Sequence, residues 1–184
     1  MANNFWTSKD TAPKRNFRFL VQLGGEVVWW AKTVTTPAYD VGEVEHNFLD
    51  NKFYFPGRVS WSEVSMTLVD PVSPNAVAIT NDYVIGAGLN NPNYKVKDNA
   101  TNPLTISKAK AVEALASVTI KVLNAEGIEI EVWTLHNAFI KAAKYGDLDY
   151  SSDDLRTIEL TLRYDWAVCD TSGAGGPADQ FEAG

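Results

Sequence analysis

Apolar side chains recur at every second position through several stretches of the chain, the spacing of half-buried β-strands. In "RTIELTLRYDW", Ile158, Leu160, Leu162, Tyr164 and Trp166 share one side, against Thr157, Glu159, Thr161, Arg163 and Asp165 on the other. Five inward side chains at ~1.5–3 kcal/mol each make this strand a principal source of stability. "SVTIKVL" sets Val118, Ile120 and Val122 on one side and "NAEG" turns. "IEIEVW" then answers with Ile128, Ile130 and Val132 against Glu129 and Glu131, which completes a β-hairpin. "FRFLVQL" aligns Phe17, Phe19, Val21 and Leu23, and Gly24-Gly25 turn it into "VVWWAKTV" as another hairpin. Gly24-Gly25 does not read as a phosphate loop, because strands flank it and no Gly-Lys-Ser/Thr follows. "VSWSEVSMTLVDP" alternates through Val64, Met66 and Leu68 and stops at Asp70-Pro71.

Elsewhere the pattern is less regular. "TPAYDVGEVEHNFLDNKFYFPGR" is rich in strand formers but lacks a clean apolar face, with Pro37 breaking one end and Pro56-Gly57 closing the other. It predicts an extended, exposed hairpin around Leu49-Asp50-Asn51. One helix is predicted in "SPNAVAITNDYVIGAGL", capped by Ser73 with Pro74 in its first turn, and ended by Gly86 and Gly88. Val77, Tyr83 and Val84 lie near one of its faces. "SKAKAVEALA" reads either as a short helix or as the lead-in to a strand, and "HNAFIKAAKY" as a further strand. Six or seven strands and one helix describe a mainly β chain, a small antiparallel β-sandwich or barrel.

With 184 residues, 45% hydrophobic and 21% charged, the chain fits one soluble globular domain. That domain is expected over residues 16–170, between a flexible arm at 1–15 and a Gly/Ala-rich tail at 171–184, with an exposed loop at 90–102. A formal net charge of -7 disfavours gripping a phosphate backbone, which needs clustered cations. It leaves open a protein that encloses nucleic acid without holding it, since like charge repels. No apolar run approaches the ~20 residues of a membrane-spanning helix. The polar N-terminus has no signal-peptide core, so the chain is expected to stay in the cytosol where it is made. The single cysteine, Cys169, excludes an internal disulfide and a cysteine-rich zinc site.

"GDLDYSSDDL" spaces Asp147, Asp149 and Ser151 like the first ligands of a calcium loop. The sixth position is Ser152 instead of glycine, the twelfth is Ile158 instead of glutamate, and strands flank it. A catalytic pair such as Asp149 and Asp153 needs a pocket that drives two pKa values apart, and an exposed turn supplies none. Asp and Ser as turn formers explain the stretch. His46 and His136 would bind a metal only if two separate strands met. No catalytic, cofactor or metal residue is therefore expected. Among the six tryptophans, Trp29-Trp30 is informative. Adjacent strand residues face opposite sides, so one ring must be covered by something other than the core.

Taken in order, "FRFLVQL", "WWAKTVTTPAY", "HNFLDNKFYFPGRVSWSEVSMTLVD" and "GIEIEVWTLHNAFIKAAKYGDLDYSSDDLRTIELTLRYDWA" resemble the tail-tube proteins of contractile-tailed bacteriophages, with relatives in pyocin-like and other contractile injection systems. The resemblance spans residues 16–167. It implies a structural virion subunit without enzymatic activity, assembled in the host cytoplasm as homohexameric rings stacked into a tube. Each subunit would contribute strands to a ring-wide lumenal β-barrel, through which phage DNA is ejected without specific binding. Tail sheath, baseplate and tail terminator proteins are the implied partners. A protein cargo and an initiator or terminator ring remain open, and a monomeric β-sandwich ligand-binding module is the alternative from another class. Along the matched pattern, His46, Asn47, Phe48, Leu49, Asp50, Asn51, Lys52, Phe53, Tyr54 and Phe55 become candidates for contact between subunits or rings. The arms at both ends are second candidates. Glu43, Glu45, Glu129, Glu131, Glu159 and Asp165 become candidates for polar faces.

Overall fold

The computed structural model describes residues 13–89 and 105–171. The expected arm (but for Pro13 to Arg15), the loop at 90–102 and the tail beyond Thr171 lie outside the described residues. One sheet has the order β11-β8-β7-β1-β2, built from β1 (Phe19–Leu23), β2 (Glu26–Val27), β7 (Val118–Leu123), β8 (Glu129–His136) and β11 (Trp166–Asp170). The second has the order β3-β6-β10-β9, from β3 (Ala31–Val34), β6 (Val64–Val69), β9 (Phe139–Lys144) and β10 (Thr157–Arg163). A two-stranded ribbon, β4 (Tyr39–Phe48) and β5 (Asn51–Trp61), stands apart from both. Every pairing is antiparallel. The fold is mainly β, and among the described residues neither sheet closes into a barrel on its own.

The core lies between the two larger sheets, where the period-2 pattern sends it. Ile158, Leu160 and Leu162 sit directly opposite Leu68, Met66 and Val64, and all six are buried. Val21 and Ile120 pair across the facing sheet, with Trp133 beside Ile120 and packed on the same core. Partners directly opposite share a face, so these rows define the inner surface.

Several expectations change. α1 (Ala76–Gly86) is capped by Asn75, not Ser73: the Asn75 side chain accepts from the Ala78 N–H at 3.0 Å. Its inward row is Ala76, Thr80, Tyr83 and Ala87, at helical spacing, and Val77 packs on the core beside it as the sequence suggests. "SKAKAVEALA" is a second helix, α2 (Lys108–Leu115), capped by Ser107 and anchored through buried Ala111 and Leu115. The run "VVWWAKTV" is not one strand. It bends at Trp29-Trp30 and passes from the first sheet to the second, leaving Trp30 against the core and Trp29 66% exposed. Phe17 precedes β1, so it stays outside, with the Arg18 guanidinium 5.3 Å from its ring centre.

Trp166 also leaves the inward row. After buried Tyr164, the Asp165 N–H donates to the His136 carbonyl at 3.0 Å, and the chain crosses into the other sheet. Alternation restarts there, with Trp166 beside His136, ring centres 5.0 Å apart and stacked.

Candidate assembly surface

Among the described residues the ribbon's strands pair only with each other, around a turn at Leu49-Asp50. Pro56-Gly57 does not close it; β5 runs on to Trp61 and gains an extra residue opposite Val41 to Glu43. Gly57 suits this bulge, because a Cβ there would come within 3.0 Å of the Gly42 carbonyl carbon and oxygen and the facing strand would have to shift by a few tenths of an ångström.

That extra residue shifts the pairing. Near the root, Tyr39 opposes Trp61 and Val41 opposes Val59. Past the bulge the same face of β4 carries Glu43, Glu45 and Asn47, opposite Pro56, Tyr54 and Lys52. The reverse face pairs Val44 with Phe55 and His46 with Phe53, and ends in Phe48 opposite Asn51. The outer half of the ribbon therefore has the apolar face that sequence periodicity does not reveal. Counting pairs outward from the two-residue turn would have exposed it.

The root is held by aromatic contact. Tyr39 and Trp61 have ring centres 5.3 Å apart, and Trp61 packs on the core. Among the described residues nothing covers the tip in this way: Val44, Phe48, Phe53 and Phe55 are all exposed. Leu49 is 86% exposed at φ 53°, the left-handed region that a branched aliphatic residue rarely adopts. An isolated two-stranded ribbon is marginal in water, so such a tip is built to be covered.

The acidic candidates divide by setting. Glu45 pairs with Lys52 at 3.1 Å on the polar face of the ribbon, where Glu43 also lies. Glu129 and Glu131 do not share one face. A bulge pairs Leu123 with Glu129 but Val122 with Glu131, so Glu129 turns outward to Lys121 at 2.8 Å. Glu131 instead follows the inward row of Trp133 and Leu135 to the open end of the sandwich, where Lys14 pairs with it. Val132 consequently faces outward. Glu159 lies on the outer face of the second sheet, 3.6 Å from Lys144, among Thr33, Ser65, Thr67 and Thr161. Asp165 receives Lys108 at 2.6 Å and Asn137 at 2.8 Å, and these hydrogen bonds hold its carboxyl below the usual range. Five of the six thus carry a lysine partner, so these faces are charge-mixed instead of bare acidic walls.

"GDLDYSSDDL" is an irregular connection between β9 and β10. Asp149 accepts from the Ser151 N–H at 2.9 Å and from its hydroxyl at 2.8 Å, the Asx-turn pattern, and these bonds lower its pKa. A general acid needs the opposite shift. His46 is on the ribbon and His136 stacks on Trp166, so the fold assigns them to separate elements. Among the described residues no group of His, Cys, Asp and Glu is arranged to hold a metal ion. No described helix is long and apolar enough to cross a membrane.

No protein-family model matches the sequence, and no curated protein matches it. Solved structures do. The chain is 20% identical to a chain of the sheath-tube complex of an extracellular contractile injection system (PVC) in its extended state, covering 87% of this chain and 93% of that one, with a TM-score of 0.63. It is 19% identical to a chain of the anti-feeding prophage cap, the tube terminating cap, with 86% and 91% covered and a TM-score of 0.64. A chain of the PVC sheath/tube terminator matches at 19% identity, 86% and 96% covered, with a TM-score of 0.65. The property shared at this identity is the fold.

Proposed function

We propose that this chain is a structural, non-enzymatic subunit of a contractile tail or injection tube, forming six-fold rings that stack into a hollow conduit. The observation that carries the proposal is the ribbon: an apolar outer half, exposed among the described residues, on a fold shared with tube and cap chains of contractile injection systems. Residues 46–55 make the contact between subunits or rings. The outer face of the second sheet, with Thr33, Ser65, Thr67, Thr161 and Glu159, is the surface that meets water in the lumen.

The sheet edges support the same conclusion. Among the described residues β3 and β9 each leave one side unpaired, an aggregation hazard unless neighbours in a closed ring pair with them. In the assembled tail of a virion, phage DNA passes the lumen without being held, because a surface of short hydroxyls and paired charges releases few counterions on contact. Sheath, baseplate and terminator proteins are its partners there. Fold likeness to a terminating cap keeps a terminator ring as the second reading. Negative-stain microscopy of purified protein is the test. Tubes or stacked six-fold rings are expected, single unstacked rings favour the terminator, and a monomer across concentration and salt overturns both.

A further inference from the structure

At the open end of the sandwich, β1 and β7 diverge from β3 around a cleft of about 470 Å³, within the range of ligand pockets. Its floor is apolar, with Phe19, Ile120 and Val122 on the inner rows. Its rim is cationic, with Arg15, Arg18 and Lys32. Lys14 and Glu131 also line it, but they pair with each other. The three rim cations make no ion pair among the described residues. In a chain of net charge -7, this is a local site for an aromatic residue flanked by carboxylates.

The chain itself carries such a segment. β11 ends with Asp170 opposite Val132, the neighbour of cleft-lining Glu131, so Thr171 leaves the sheet beside the cleft. Thirteen residues follow, 172–184, and they include Asp179, Phe181 and Glu182 with no cation. The eight steps from Thr171 to Asp179 span up to ~26 Å when extended, enough to reach across a cleft of this volume. Residues 1–12 precede cleft-lining Lys14 in sequence, but there Lys9 offsets Asp10 and the segment carries no comparable run of carboxylates around an aromatic residue.

We infer that Asp179–Glu182 docks into this cleft of its own chain, Phe181 on the apolar floor and the two carboxylates on Arg15, Arg18 and Lys32. A short tether supplies an effective concentration on the order of millimolar, so a weak contact is well populated. The inference goes beyond the tube reading and is tested on the full chain whatever its assembly state. Carbodiimide coupling, which joins a carboxylate directly to an amine in contact, is read by peptide mass spectrometry on an equal mixture of light and ¹⁵N-labelled chains. The Lys121–Glu129 pair, 2.8 Å apart, is the internal standard. Coupling of Lys32 to Asp179 or Glu182 within isotopically pure species is expected. It should fall at least fivefold in Phe181→Ser, and again in Arg18→Glu with unchanged circular dichroism. Absence of this coupling while the standard forms, equal yield in Phe181→Ser, or coupling confined to mixed-isotope pairs would each overturn the docking.

Discussion

The rings of Trp61 and Tyr164 lie 5.9 Å apart, tilted by 57°, and this contact joins the root of the ribbon to the end of β10. Tyr39 completes a row of three tilted rings from the ribbon's first residue to the core. Trp61→Ala removes the middle ring. For a half-buried indole the expected cost is about 2–3 kcal/mol, below the 3–5 of a fully buried aromatic. A lower urea midpoint with an unchanged slope is the measurement, and a change under 0.5 kcal/mol would show that the ribbon is not anchored there.

Phe48→Ser with Phe53→Ser should leave the subunit as stable as before, within about 0.5 kcal/mol, because both rings are exposed in the single chain. Assembly should be lost. Sedimentation of the double variant at concentrations where the parent forms rings or tubes decides this, and tubes of normal length would remove the contact role from the outer half of the ribbon. Deleting residues 48–55 should act alike: soluble, folded, unstacked.

Leu49→Gly separates two roles of one residue. At φ 53° a leucine bears a left-handed penalty of about 1–2 kcal/mol that glycine does not, while glycine adds about 0.5–1 kcal/mol of chain entropy to the unfolded state. Subunit stability should therefore hold or rise by up to about 1.5 kcal/mol, as thermal unfolding of unassembled protein will report. Ring stacking should weaken in the same variant, since the most exposed apolar side chain of the tip is gone.

Asp165 gives the acid response of the link between the sheets. Its carboxyl is held below the usual range first by the Lys108 hydrogen bond and then by Asn137, so the folded state favours the ionised form. That contribution is present above the unfolded value near 3.9 and is lost as pH falls through the lower folded value. The pair is largely solvent-exposed, which limits it to about 0.2–1 kcal/mol. Asp165→Asn should shift unfolding midpoints at pH 6 but leave those near pH 2 unchanged. An equal shift at both would assign the effect to packing instead of charge.

How far the sequence carried depended on whether one period ran unbroken. β6, β7 and β10 keep strict alternation, and Val64, Met66, Ile120, Leu160 and their neighbours are buried as the pattern requires. Alternation misleads where the backbone slips a residue or changes sheets. The bulge beside Glu131, the extra residue at Gly57 and the crossing at Asp165 each reset which side faces in, and none leaves a mark in the apolar count. Trp29-Trp30 came out as expected, one ring inward and one exposed, but at a bend instead of within a strand. The ribbon was legible as an exposed hairpin. Its apolar outer face was not, since it emerges only from the pairing of β4 with β5.

The row of three rings also has a mechanical side. β5 ends at Trp61 and β6 begins at Val64, a central strand of its sheet, with only Ser62 and Glu63 between them. A push on the ribbon tip is therefore delivered along β5 into β6, and sideways through the rings into β10, which is hydrogen-bonded to β6 along its length. With Trp61 at the ribbon's root, thrust at the tip is expected to load β6 and β10 together instead of peeling one away from the other.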